Sequence, residues 1–95
     1  MKLHVKAEIG GRVQGVGFRY FTARKADEFE IFGYIENNPN GSVYLEVEGE
    51  EDNLEGFLQA VRVGPESCEV REFVVMQEVE LKYYEAFEIR RKEEL

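Results

Sequence analysis

The apolar residues of this chain change their spacing along the sequence in a fixed order, and that order restricts the fold more than any single motif does. In "LHVKAEI", Leu3, Val5, Ala7 and Ile9 alternate with His4, Lys6 and Glu8, the period-two pattern of a strand with one buried face. His4 reads there as an ordinary outward-facing strand residue. Phe18, Phe21, Thr22 and Phe29 then fall on one side of a helical wheel, which predicts a helix over about Phe18–Phe29 whose apolar stripe Lys25 interrupts. "IFGYIEN" and "SVYLEVEG" are β-rich runs flanking "NPNG", where Pro39 presets a turn and Gly41 supplies a positive φ, so the pair reads as a hairpin. Leu54, Phe57, Leu58 and Val61 repeat at i, i+3, i+4 and i+7, with Glu50, Glu51 and Asp52 at the positive end of this second helix and Gly64-Pro65 closing it. "CEVREFVVMQEVEL" reads as a long fourth strand and "AFEIRR" as a short final one.

The order βαββαβ implies two right-handed crossovers, with both helices on one face of a mainly antiparallel four-stranded sheet. That is an α+β, ferredoxin-like sandwich. At 95 residues the chain is read as one domain, 1–95, with a single modest core, so any site is a local surface feature. No apolar run approaches the roughly 20 residues that span a membrane, and the N-terminal "MKLHVKAEIG" lacks an apolar signal core. Cys68 is the only cysteine, which excludes an internal disulfide and a cysteine-rich metal site and fits a cytoplasmic setting. Cys68 itself reads as a structural or surface residue. This fold carries enzymes, RNA binders and sensors alike and does not choose among them. The net charge of −8 does: it argues against a nucleic-acid partner, whose phosphates need Lys and Arg, and confines any small anion to a locally positive spot.

Such a spot is offered by "GGRVQGVGFRYF", Gly10 to Phe21, where glycines and two arginines join the first strand to the first helix. A glycine-rich loop in that place turns several backbone N–H groups toward one point, beside the positive end of the helix dipole. Gly11, Gly15 and Gly17 give the backbone freedom, and Arg19, just inside the helix, adds a planar guanidinium suited to a phosphate or carboxylate. With Arg12, the two arginines are expected to complete the cradle. An arginine in a first helical turn is disfavoured by the dipole, and that misfit points to function. The P-loop pattern fails, because Val16 and Gly17 follow Gly15 in place of Lys and Ser/Thr. The dinucleotide fingerprint fails for want of a glycine at position 20. The RNA-binding string that "QGVGFRYF" superficially resembles fails on Gln14, Val16 and Arg19 and on its placement before a helix.

Taken together, "GRVQGVGFRYFT", "GYIENNPNGSVYLEVEG" and the closing "FEIRR" resemble acylphosphatases over essentially the whole chain. The resemblance implies a metal-free, cofactor-free enzyme that hydrolyses the carboxyl–phosphate bond of acyl phosphates. It assigns a phosphate cradle to Gly11, Arg12, Val13, Gln14, Gly15, Val16, Gly17 and Phe18, the catalytic arginine to Arg19 and the water-orienting asparagine to Asn37. Ser42 falls where the family often carries a hydroxyl near the site. The implied partners are an acyl phosphate substrate and inorganic phosphate or other small anions in the loop, with neither nucleic acid nor membrane, for a monomeric protein. The alternative reading is a non-catalytic module that binds an anion or a partner through the same loop.

Three departures from the family pattern stand out. Glu36 occupies the place of a basic residue, and strand alternation sends it to the face opposite Asn37. Glu30 replaces a common helix-ending Gly, at a strain of roughly 1 kcal/mol if it is left-handed. The tail "KEEL" runs beyond the family's usual end near Arg91, which argues against an ion pair between the chain terminus and Arg19.

Overall fold

A computed structural model describes residues 1–91. The elements follow the expected order: β1 (Lys2–Arg12), α1 (Phe18–Phe29), β2 (Phe32–Asn37), β3 (Val43–Glu50), α2 (Glu51–Val63), β4 (Glu69–Glu78) and β5 (Phe87–Arg90). The sheet has five strands in the order β4-β1-β3-β2-β5: the short final strand read in "AFEIRR" joins the four of the sandwich by pairing along the free edge of β2. That last pairing is parallel; the other three are antiparallel.

One face of the sheet carries the core. Val5, Ala7 and Ile9 of β1, Ile35 of β2, and Val43, Leu45 and Val47 of β3 pack against Phe18 and Ala26 of α1 and Leu54, Phe57 and Val61 of α2. Burying a side chain of this size contributes roughly 1.5–3 kcal/mol, and Phe18 and Phe57 are the largest buried members. The stripe on α1 runs Phe18, Thr22, Ala26, with the Thr22 hydroxyl donating to the Phe18 carbonyl. Lys25 leaves that stripe, pairs with Glu28 and lies over the Phe21 ring. Glu30 caps α1 with φ 57° and ψ 51°, the left-handed strain foreseen for it.

The other face does not read as a simple solvated surface, and His4 is the clearest correction. It faces away from the helices, as alternation demands, yet is 2% exposed. The cause is topological. β4 lies at one edge of the sheet and β5 at the other, so residues 79–86 must cross it. Four strand spacings are about 19 Å, within reach of eight nearly extended residues, about 27 Å.

The crossing is made over the end where His4 pairs with Glu48 and Glu78. β4 therefore stops at Glu78, short of the expected Leu81. Glu48, fully buried, accepts from the backbone N–H groups of Lys82 and Tyr84. His4 places Nδ1 2.6 Å from the Glu80 carbonyl and Nε2 2.9 Å from Glu46. Glu46 also accepts the hydroxyls of Tyr34, Tyr44 and Tyr84. Desolvation pushes the Glu46 carboxyl up, but these bonds from Tyr44, Tyr84, His4 and Tyr34 more than offset it and hold it below the ordinary carboxylate value. In turn, desolvation first and the bond to Glu46 second push the Tyr44 and Tyr84 hydroxyls well above the ordinary tyrosine value.

Candidate functional site

β1 and β2 are each antiparallel to β3, hence parallel to one another, and β5 is parallel to β2. Their C-terminal ends and the start of α1 therefore meet at one end of the sheet, opposite the crossing strap. The candidate residues lie there.

β1 continues past its apolar alternation, through a bulge at Gly10/Gly11, so that Gly11 pairs with Val70 and Arg12 with Glu69. A Cβ on Gly11 would sit 2.1 Å from the Glu69 carbonyl oxygen, so this glycine serves the close approach of β4. The loop proper is residues 13–17. Gly15 and Gly17 have open space around them but φ of 74° and 81°; what these positions require is left-handed backbone.

Gly17 is the N-cap of α1, with no side-chain cap and no acidic residue in the first turn. The first helical bond runs from the Phe21 N–H to the Gly17 carbonyl at 3.0 Å. The N–H groups just before it have no intrahelical acceptor. The positive end of α1 is thus left uncompensated by any side chain of the helix, although the chain as a whole carries −8. A concavity of about 200 Å³ opens here, lined by Val13, Gly15, Gly17, Phe18, Arg19 and Tyr20.

Arg19 belongs to that lining, and its Nη1 donates to the Arg90 carbonyl at the end of β5, 3.3 Å away. The "KEEL" tail, and with it the question of a terminus–Arg19 pair, lies outside the described residues. Arg12 does not line the concavity. Its Nη2 donates to the Ser67 carbonyl, 3.4 Å away in the turn after α2. Gln14 also faces away: its Nε2 donates to the Asn38 and Ser42 carbonyls, both at 2.8 Å. That double bond to the hairpin turn fixes the loop relative to the end of β2.

Asn37 is the last residue of β2 and pairs with Val43, which is buried against the helices, whereas Glu36 pairs with Tyr44 on the opposite face. Residues directly opposite in an antiparallel pair share a face, so Asn37 lies on the helix side and Glu36 on the other, as alternation required. Asn37 Oδ1 is buried and has no hydrogen-bond partner among the described residues. Ser42 is occupied with the turn: its hydroxyl lies 2.7 Å from Asn40 Oδ1, 2.9 Å from Asn38 Nδ2 and 3.2 Å from Glu8 Oε2.

Ser67 and Cys68 were not foreseen at this end. The Ser67 hydroxyl donates to the Val16 carbonyl at 2.9 Å and the Cys68 thiol lies 3.8 Å from the same oxygen. Gly64-Pro65 announced a turn there, but nothing in the sequence says that this turn packs behind the loop.

A wider groove of about 520 Å³ lies on the open sheet face, lined by Lys6, Glu8, Tyr44, Glu72 and Met76 among others. Its two carboxylates repel a phosphoryl group, so the smaller concavity at the helix start is the better anion site despite its size. Among the described residues, no group of three or more His, Cys, Asp or Glu side chains could hold a metal ion, and no helix is long and apolar enough to cross a membrane.

Comparison with known proteins agrees with this geometry. The acylphosphatase family model matches residues 5–89. The acylphosphatase of Archaeoglobus fulgidus is 49% identical over 81 residues, 85% of this chain and 90% of that protein. The crystal structure of acylphosphatase from Bacillus subtilis superposes with a TM-score of 0.90 at 35% identity, covering 93% of this chain and 98% of that one. Full-length HypF, in a phosphate- and nucleotide-bound form, also contains the fold, with a TM-score of 0.87 and 35% identity over 95% of this chain but 12% of its own.

Proposed function

The chain belongs to the acylphosphatase family, and from that premise we propose how its residues divide the hydrolysis of an acyl phosphate. The phosphoryl group sits in the concavity at the start of α1, its equatorial oxygens taking N–H groups of the loop and helix start together with the Arg19 guanidinium. To do so Arg19 exchanges the Arg90 carbonyl for the anion. Asn37 holds the attacking water in line with the leaving carboxylate.

The observation that carries this reading is Oδ1 of Asn37, buried and without a hydrogen-bond partner among the described residues, on the last residue of β2. Asn37 cannot act as a strong base. The proton of the water therefore passes to the substrate phosphate, and no carboxylate pair or histidine is required. His4, the only histidine, is committed to the strap. A single cysteine supports a cytoplasmic setting, and the protein acts as a monomer.

The binding-module alternative is supported by the fold's occurrence inside a larger chain. Phosphate release from benzoyl phosphate in the presence of excess EDTA separates the two. Turnover is expected with the chelator present, and Arg19→Gln is expected to weaken both turnover and competitive inhibition by phosphate. Turnover that vanishes on chelation and returns with a divalent ion would refute the metal-free route.

A further inference from the structure

The loop that cradles the anion has a mechanical problem at the peptide joining Val16 to Gly17. Planarity sets the Val16 carbonyl and the Gly17 N–H on opposite sides of that unit. Whichever way the carbonyl turns, the N–H turns the other way. A glycine on the C-terminal side tolerates φ of either sign, so nothing within the loop prevents this peptide from reversing and presenting a carbonyl oxygen to the anion. The observed φ of 81° at Gly17 is one of two permitted orientations, and an acceptor in the cradle would repel a phosphoryl oxygen.

The choice is made from behind the loop. Ser67 lies in the turn after α2, closed by the Cys68 N–H to the Pro65 carbonyl at 3.0 Å. Its hydroxyl donates to the Val16 carbonyl at 2.9 Å. Ser67 is not among the residues lining the concavity, whereas Gly17 is, so the carbonyl is drawn away from the anion site and the Gly17 N–H is aimed toward it. Arg12, at the end of β1, donates to the Ser67 carbonyl at 3.4 Å. The turn is thereby clasped from both ends of the loop.

We propose that Ser67 is a positioning residue for the phosphate cradle, holding the Val16–Gly17 peptide with its N–H toward the phosphoryl group, with Arg12 securing the turn that carries it. This assigns Arg12 a task other than direct contact with phosphate. The inference rests on the reading of the cradle as the phosphoryl site.

Inorganic phosphate titrated into ¹⁵N-labelled protein, wild type and variants, tests both together with benzoyl phosphate kinetics. In the wild type the amides of residues 15–19 should shift on saturation. In Ser67→Ala, one hydrogen bond poorer, phosphate affinity and kcat/KM should fall roughly three- to tenfold, with the loss largest at the Gly17 amide and the thermal midpoint lowered by no more than several degrees. Ser67→Thr, which keeps the hydroxyl, should restore most of both. Wild-type amides 15–19 that do not respond to phosphate would overturn the cradle and this inference with it. A wild type that responds, beside a Ser67→Ala protein with the same phosphate affinity and Gly17 shift, or a loss that Thr fails to rescue, would overturn the role of Ser67 alone.

Discussion

Asn37→Ala should abolish turnover and leave the protein at least as stable as before. An acceptor buried without a partner costs roughly 1–3 kcal/mol through lost hydration, and Asn37 Oδ1 has none among the described residues. Truncation removes that cost and forfeits the packing of one small side chain, about 1 kcal/mol at most. The net change is therefore a gain of roughly 0–3 kcal/mol, each kcal/mol of which raises the thermal midpoint by about 4–8 °C for a domain of this size. Turnover should fall by 10² to 10³ or more, as expected for loss of a preorganised polar group, while phosphate still competes for the cradle. Opposite signs for stability and activity mark a group retained for chemistry. Calorimetry on both proteins, with initial rates on benzoyl phosphate, reads the two quantities. A fall in midpoint of several degrees would mean that Oδ1 is structurally engaged, and retained turnover would remove Asn37 from the mechanism.

Other expectations follow from particular residues. Glu30→Gly relieves the left-handed backbone at the end of α1 and should raise stability by roughly 0.5–1 kcal/mol after the entropic cost of glycine, read as an increased midpoint with unchanged kcat. Glu46→Gln cannot serve His4 and three tyrosine hydroxyls as the carboxylate does. It should cost roughly 1–3 kcal/mol without altering kcat, because the cluster lies across the sheet from the cradle; a negligible effect would mean that the strap is held by other contacts. Because the Glu46 carboxyl sits below its ordinary value when folded, its contribution is present above the unfolded value near 4.5 and is lost as pH falls through the folded one. The acid limb of stability against pH should accordingly flatten in Glu46→Gln, and an unchanged limb would contradict the assignment. Glu36→Lys, on the face opposite Asn37, should lower KM for the anionic substrate and flatten its dependence on ionic strength; a large fall in kcat would show that position 36 reaches the water.

Much of the architecture was legible because the sequence encodes it locally. α1 could be bounded at Phe18 and Phe29 from one apolar stripe, and α2 from its acidic start and Gly64-Pro65 stop, since capping and periodicity act within a few residues. The hairpin was equally local, with Gly41 at φ 94° where "NPNG" required it. What escaped was non-local. Glu46 and Glu48 alternate with Leu45 and Val47 as outward residues should, and only the crossing of residues 79–86 buries them. That crossing follows from β4 and β5 occupying opposite edges, a pairing that no short window contains. Gly11 reads as a loop glycine in the sequence because its close approach to the Glu69 carbonyl depends on a strand more than fifty residues away.

The two ends of the sheet treat polar groups in opposite ways, and that contrast locates the chemistry. At the strap end, the buried carboxylates of Glu46 and Glu48 are answered by hydroxyls, backbone N–H groups and His4, as a buried charge requires. Glu46, with four bonds on its two oxygens, has no acceptor position left for a ligand. At the cradle end, the helix starts without a side-chain cap, an arginine sits where the dipole disfavours it, and Asn37 Oδ1 lacks a partner among the described residues. Each of these is mildly unfavourable by itself, and a Ser or Asp capping α1 would relieve the first. Such a cap would also occupy the N–H groups that a phosphoryl oxygen needs. The left-handed φ of 81° at Gly17 disfavours most side chains there, so the conformation that forms the cradle also keeps the helix end open to the anion.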